Sequence, residues 1–211
     1  GWFDEKKGVL HYLRHNGPEH ILCFAPTRSG KGVGLILPTL LSWPGSSLTL
    51  DIKGENWALT SGWRKSQGHT VLRFDPTDAS GSGCAFNPLD EIRLTSLEVV
   101  QDVQNIALML VDPDGKGLED HWTKAAFAFF AGLILHCCVV VRRREGRMPT
   151  LRELTLMMSD PDRTTAELLE DMIAAEHAKW FHDFAPDADS RVGDACHVFI
   201  ASSAREMLSK A

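Results

Sequence analysis

Residues 25–32 read A-P-T-R-S-G-K-G. Gly30 and Lys31 stand at the fixed positions of the phosphate-cradling pattern G-x-x-x-x-G-K-[ST], while Ala25 replaces its first Gly and Gly32 its final hydroxyl residue. The setting supplies the physical case. His20–Phe24 is an apolar stretch that reads as a strand, and Val33 onward reads as a helix. A loop between two such elements turns successive backbone amides toward one point. It also adds the positive end of a helix dipole, so the place suits an anion. Gly30 permits a backbone conformation closed to most residues, and the Lys31 ammonium acts on phosphate oxygens as a point charge. The binding loop on this reading is Pro26, Thr27, Arg28, Ser29, Gly30, Lys31, Gly32 and Val33. Gly32 has no hydroxyl for Mg²⁺, which leaves two arrangements open. Water, phosphates and acidic residues hold the ion alone, or Ser29 or Thr39 assists. No protein metal ligand is assigned. Arg28 fits a solvated loop arginine and a contact to a neighbouring subunit's nucleotide equally well.

A second candidate follows. Ser47–Leu50 is an apolar run ending at Asp51, and the chain continues D-I-K-G-E through Lys53 and Glu55. An acid at the end of an apolar strand can hold Mg²⁺, or Asp51 and Lys53 can simply form loop contacts. The elements that must position these groups alternate. Val9–Leu13 and His20–Phe24 flank the turn-forming His15–Pro18 and could pair as a hairpin. Pro38 should kink the helix over Val33–Leu41. Ser47–Leu50 and Thr70–Phe74 read as strands around a helix over Trp57–Ser66. Strand and helix in this order imply a partial parallel sheet, an α/β fold over residues 1–90.

Beyond residue 91 the strand signals stop, and 91–211 reads as an all-α domain. Thr95 with Glu98 and Thr150 with Glu153 have capping-box spacing. Leu97–Leu110, Glu119–Arg142, a segment opening at Asp162–Thr164 and Val192–Ser209 read as helices. Ala125–Val141 is apolar but short for a bilayer span and contains His136, so a buried helix is the expectation. Three consecutive residues on a helix point in three directions, so His136, Cys137 and Cys138 are read as core and not as ligands to one metal. His177 and His182 are five apart, off the one-turn spacing of a helical metal pair. Arg142–Arg144 and Arg147 form a solvated helix end or a contact to DNA phosphates or lipid headgroups. Trp122 is expected as a core anchor.

Composition narrows the class. A net charge of −6, with 44% hydrophobic and 24% charged residues, is that of a globular chain whose overall field repels polyanions. Five cysteines, two of them adjacent and none in a C-x-x-C pair, argue for a reducing compartment. Residues 1–7 lack the order of a secretory signal.

Taken together, four stretches resemble the TraG-like coupling proteins of type IV secretion and conjugation systems. They are A-P-T-R-S-G-K-G-V-G with L-P-T-L-L, L-D-I-K-G-E at Leu50–Glu55, F-D-P with F-N-P-L at Phe74–Pro76 and Phe86–Leu89, and Trp122 with its apolar helix. In that family the loop commonly has this form, so Ala25 and Gly32 are not anomalies. The resemblance implies a RecA-like nucleotide-binding domain, a P-loop parallel sheet, with an inserted all-α domain. It implies a hexameric ATPase using ATP and Mg²⁺, with Lys31 as the catalytic lysine. Asp51, Lys53 and Glu55 would lie near the phosphates, Asp51 not as principal metal ligand. The implied setting is the cytoplasmic face of the bacterial inner membrane, anchored by N-terminal helices. The implied partners are other subunits, secretion-channel components, and relaxase–DNA complexes or effector proteins. The chain then looks truncated at both ends, without the family's Walker B strand, and hydrolysis by it alone is expected to be poor. A non-catalytic substrate-recognition adaptor and another P-loop DNA translocase are the competing readings.

Overall fold

The computed structural model describes residues 2–11 and 17–209. It divides into two compact units, Gly1–Cys84 and Ala85–Ala211.

In the first unit, strands β1 (Trp2–Asp4) and β2 (Val9–His11) pair antiparallel, with Phe3 opposite Leu10. The expected partner of Val9–Leu13, His20–Phe24, is not in this hairpin, and residues 12–16 lie outside the described residues. A π-helical turn, Gly32–Ile36, runs into α1 (Leu37–Ser42). Pro38 sits in the first turn of α1, where its missing amide costs least. The wide turn precedes it, and the Leu37 amide donates to the Gly32 carbonyl. Helix α2 (Glu55–Ser66) follows. Arg64 fastens it to α1: its guanidinium donates to the carbonyls of Leu40 (2.8 Å), Trp43 (3.0 Å) and Gly45 (3.0 Å). Trp63 adds an indole bond to Leu41 O at 2.9 Å.

The expected parallel sheet is absent among the described residues; β1–β2 is the one sheet they form. His20–Phe24, Ser47–Leu50 and Thr70–Phe74 form no strand, although the Arg73 carbonyl accepts one bond from the Cys84 amide at 2.7 Å. Their apolar side chains face outward, with Phe24 at 87%, Leu48 at 102% and Leu72 at 70% exposure. Apolar composition marks a segment as able to be a strand. A ladder, however, needs a neighbour offering its amides and carbonyls in register, and that is not a local property.

The second unit is helical throughout its described residues. A 3₁₀ turn (Pro88–Glu91) leads to α3 (Val99–Val111), α4 (His121–Glu145), α5 (Leu151–Met158), α6 (Thr165–Ala174), α7 (His177–Phe184) and α8 (Ser190–Leu208). Helix α4 is the axis. Leu133, Ile134, Leu135, Cys137, Cys138 and Val139 are fully buried, so it is apolar on every side, as a central helix must be. It alone among the described helices is long and apolar enough to cross a membrane, with a mean hydropathy of 2.1 over its most apolar stretch. Here α3, α7 and α8 pack around it. Gly132 allows the close approach of α8: a Cβ there would lie 2.5 Å from Ser203 Cβ.

The helix ends follow local chemistry. Asp120 caps α4 by accepting from the amides of Trp122 and Thr123, and Gly146 (φ 70°) closes it. Capping boxes open α5 at Thr150/Glu153 and α6 at Thr164/Glu167. The Thr95/Glu98 pattern does not cap α3. Arg93 draws Glu98 and Asp102 to itself, and the helix begins at Val99.

Candidate functional site

The loop expected to bind an anion leaves the irregular Ala25–Pro26 and turns at Thr27–Gly30. The turn is closed by the Ser29 amide on Pro26 O at 3.3 Å and by the Gly34 amide on Gly30 O at 2.7 Å. Gly30 has φ 83°, the left-handed conformation that glycine alone adopts cheaply. Arg28 has φ 63° and is the one non-glycine residue so placed among those described, at a cost of about 1–2 kcal/mol. Its exposed side chain makes no hydrogen bond or ion pair with the described residues.

The amides of Gly30, Lys31, Gly32 and Val33 donate to no described protein group. Nothing lies within 4 Å of where a Cβ would stand on Gly30, Gly32 or Gly34, so the side-chain side of these glycines is open. Lys31 is half-buried. Its ammonium folds back on the loop and donates to Ala25 O (2.6 Å) and Pro26 O (2.8 Å). Free amides, a helix start and a lysine held at the same loop make a cationic, donor-rich place. That donor set fits a polyphosphate.

It does not supply a metal site. Gly32 offers no side-chain oxygen, and the Thr39 hydroxyl donates to Leu35 O at 2.7 Å. Among the described residues no three His, Cys, Asp or Glu side chains converge to hold an ion. Asp51 is engaged elsewhere: Oδ2 accepts from the Trp57 amide (2.8 Å) and Oδ1 from Asn56 Nδ2 (3.3 Å), so the carboxylate closes the start of α2. Gly54 (φ 71°) makes the tight turn between them, with its amide on Asp51 O. Lys53 and Glu55 are exposed, and no hydrogen bond or ion pair joins Lys31 to Asp51, Lys53 or Glu55.

The other motif residues build structure. Asp75 accepts from the Thr77 amide and hydroxyl and pairs with Arg73 at 2.7 Å, bonds that hold its carboxyl below the usual range. Asn87 caps the Pro88–Glu91 turn and donates to Pro149 O at 2.8 Å. Trp122 is 79% exposed, contrary to the core role expected of it. It occupies the first turn of α4, outside the buried body of that helix. Three arginines of the basic cluster have local partners. Arg142 donates to Gly146 O, Arg143 lies 4.8 Å over the Trp180 ring, and Arg147 pairs with Glu145 and Glu153. The Arg147 pairing is also the main reason that the Glu153 carboxyl drops to about 2.

Sequence reasoning missed one cluster. His136 and His177 are joined by a 2.7 Å hydrogen bond between Nδ1 and Nε2, and His197 stands 5.8 Å from His177, centroid to centroid. Their separation in the chain, 41 positions between the first two, carries no periodic signal.

The loop thus combines free amides, a helix start and an inward lysine. Residues 3–196 match the family model described as Type IV secretory system Conjugative DNA transfer, and the chain belongs to that family. It is 49% identical over 211 residues to a conjugal transfer protein TraG of Escherichia coli, covering 100% of this chain and 31% of that protein. It is 34% identical over 175 residues to Protein VirD4 of Rhizobium radiobacter, covering 82% of this chain and 25% of that one. The chain therefore spans about a third or less of the length of these curated relatives. No solved structure matches it.

Proposed function

We propose that this chain is the ATP-binding part, with an attached helical part, of a coupling protein that drives DNA or protein transfer in a type IV secretion system. The observation that carries the reading is the loop at Ala25–Val33, with four unclaimed amides, open glycines at 30 and 32, and Lys31 resting on the loop's own carbonyls. An entering polyphosphate takes the ammonium from two neutral oxygens and offers it charged ones, which strengthens each hydrogen bond. The amides of Gly30–Val33 hold the phosphate oxygens, and Lys31 holds the terminal phosphates and offsets the charge that develops in phosphoryl transfer. Mg²⁺ accompanies ATP in such chemistry. The described residues bring no ligand set to it, so no step is assigned to protein-bound metal. Family membership supports a membrane-associated, hexameric setting on the cytoplasmic face of the inner membrane, with secretion-channel components and relaxase–DNA or effector substrates as partners.

The test is a thermal shift. ATP at a hundred times its dissociation constant stabilises the folded chain by about 2.7 kcal/mol, which raises Tm by about 5–10 °C at this size. Lys31→Ala should abolish the shift. No shift in the folded parent, or an equal shift in Lys31→Ala, overturns the proposal. In the full-length protein Lys31→Ala should stop transfer; retained transfer would favour an adaptor that merely recognises substrates.

A further inference from the structure

Three imidazoles meet inside the helical unit, one each from α4, α7 and α8. His177 is fully buried and His136 is 5% exposed. The 2.7 Å bond between His136 Nδ1 and His177 Nε2 requires one nitrogen to donate and the other to accept. The rings stand edge to face, 5.0 Å apart, and Trp180 packs on His177 at 5.5 Å between centroids. Nδ1 of His177 and Nδ1 of His197 are both enclosed without a protein partner.

The surroundings offer these rings no counter-charge. Arg163, from the connection between α5 and α6, pairs with Asp171 of α6 at 3.2 Å and donates to Met157 O. On α4, Arg143 pairs with Asp183 of α7 at 3.4 Å and covers Trp180. From α8 comes His197. No carboxylate bonds either imidazole of the pair, and the Arg163 cation disfavours a charge on His136. A first proton on the pair leaves its hydrogen bond intact, because one protonated ring still donates to a neutral one. A second proton puts N–H on both facing nitrogens. The bond is then lost, and two cations stand in contact.

We propose that the His136–His177–His197 stack is an acid-sensitive latch of the helical unit, closed while His136 and His177 are neutral and released when that pair takes up its second proton, freeing α7 from α4.

Burial, with the neighbouring charges, lowers His136 to about 3 and His177 to about 4, against about 6.5 for an unperturbed imidazole. The unfolded chain therefore binds these protons first. Stability is full above pH 6.5 and is lost as pH falls toward the folded values. Across that window each ring raises the unfolded-to-folded ratio by up to tenfold per pH unit, so the pair contributes up to a hundredfold.

Urea titrations of the 211-residue chain at pH 7, 6 and 5 read this slope. His177→Gln keeps an amide nitrogen near the place of Nε2, and His136→Asn keeps a hydrogen-bonding group near that of Nδ1. Either variant should cut the contribution to about tenfold per pH unit. NMR titration of the parent's imidazoles gives a reading that does not depend on variants folding. His136 and His177 should stay neutral to below pH 5 while the helical unit remains folded. A slope unchanged in both variants, or either ring charging near pH 6.5 in the folded protein, overturns the latch.

Discussion

Replacing Gly132 by Ala places the first carbon of a side chain where α4 and α8 cross. The new Cβ would lie 2.5 Å from Ser203 Cβ, 3.1 Å from Ser203 Oγ and 3.5 Å from Met172 Cε. Carbon atoms settle at about 3.5–4.0 Å, so the helices must part by roughly 1 Å. The obstacle is a Cβ, fixed to the backbone, and no rotamer change moves it aside. Overpacking of this kind costs about 1–3 kcal/mol, and the rigid contact argues for the upper end. Ala returns about 1 kcal/mol through its better helix propensity. The expected net loss is about 2 kcal/mol, a fall of about 4–8 °C in the melting of the helical unit. Circular dichroism melts of Gly132→Ala, Ser203→Gly and the double variant measure it. Ser203→Gly removes the obstructing carbon, so the double variant should be more stable than the two single losses added together, by 1 kcal/mol or more. Additive losses, or a Gly132→Ala chain at least as stable as the parent, would refute the close crossing.

Two further outcomes follow from buried groups in the two units. Arg64→Met retains the length of the side chain but strips three carbonyls, Leu40, Trp43 and Gly45, of their donor. It should cost about 3 kcal/mol and speed proteolytic cleavage near Trp43–Ser46; an unchanged cleavage rate would contradict the fastening role. Among the thiols, burial pushes Cys137 and Cys196 up to about 12 and Cys138 well above its ordinary value, whereas Cys23 is exposed and Cys84 half-buried. A thiol-specific reagent at pH 8 should label Cys23 and Cys84 quickly and the other three only in denaturant. Rapid labelling of all five would mean that the helical core opens readily.

What was legible in the chain was local. Thr150 and Glu153 announce a helix start because both partners of the capping box lie within one turn, and the structure forms both bonds. The central helix, expected over Glu119–Arg142, runs His121–Glu145, since an apolar run of that length has few other solutions. Gly30 and Lys31 mark the loop because their types and spacing are themselves the device. Elsewhere a distant partner decides. Ser47–Leu50 has strand composition and no strand beside it. Thr95 has cap spacing, yet Arg93 takes Glu98. His136 and His177 become neighbours only once α4 and α7 are packed, so no spacing rule foretells their bond. The unclaimed amides of Gly30–Val33 are likewise a property of how the loop closes, which the letters A-P-T-R-S-G-K-G do not contain.

The bond from Asn87 Nδ2 to Pro149 O joins positions 62 apart, the two feet of the lobe that α3 and α4 build. It can close only after both helices have found each other, because until then a long, wandering chain separates donor from acceptor. That makes it a seal set late in assembly, and the slowing of solvent exchange at the Asn87 amide would time-stamp the moment when the lobe is complete.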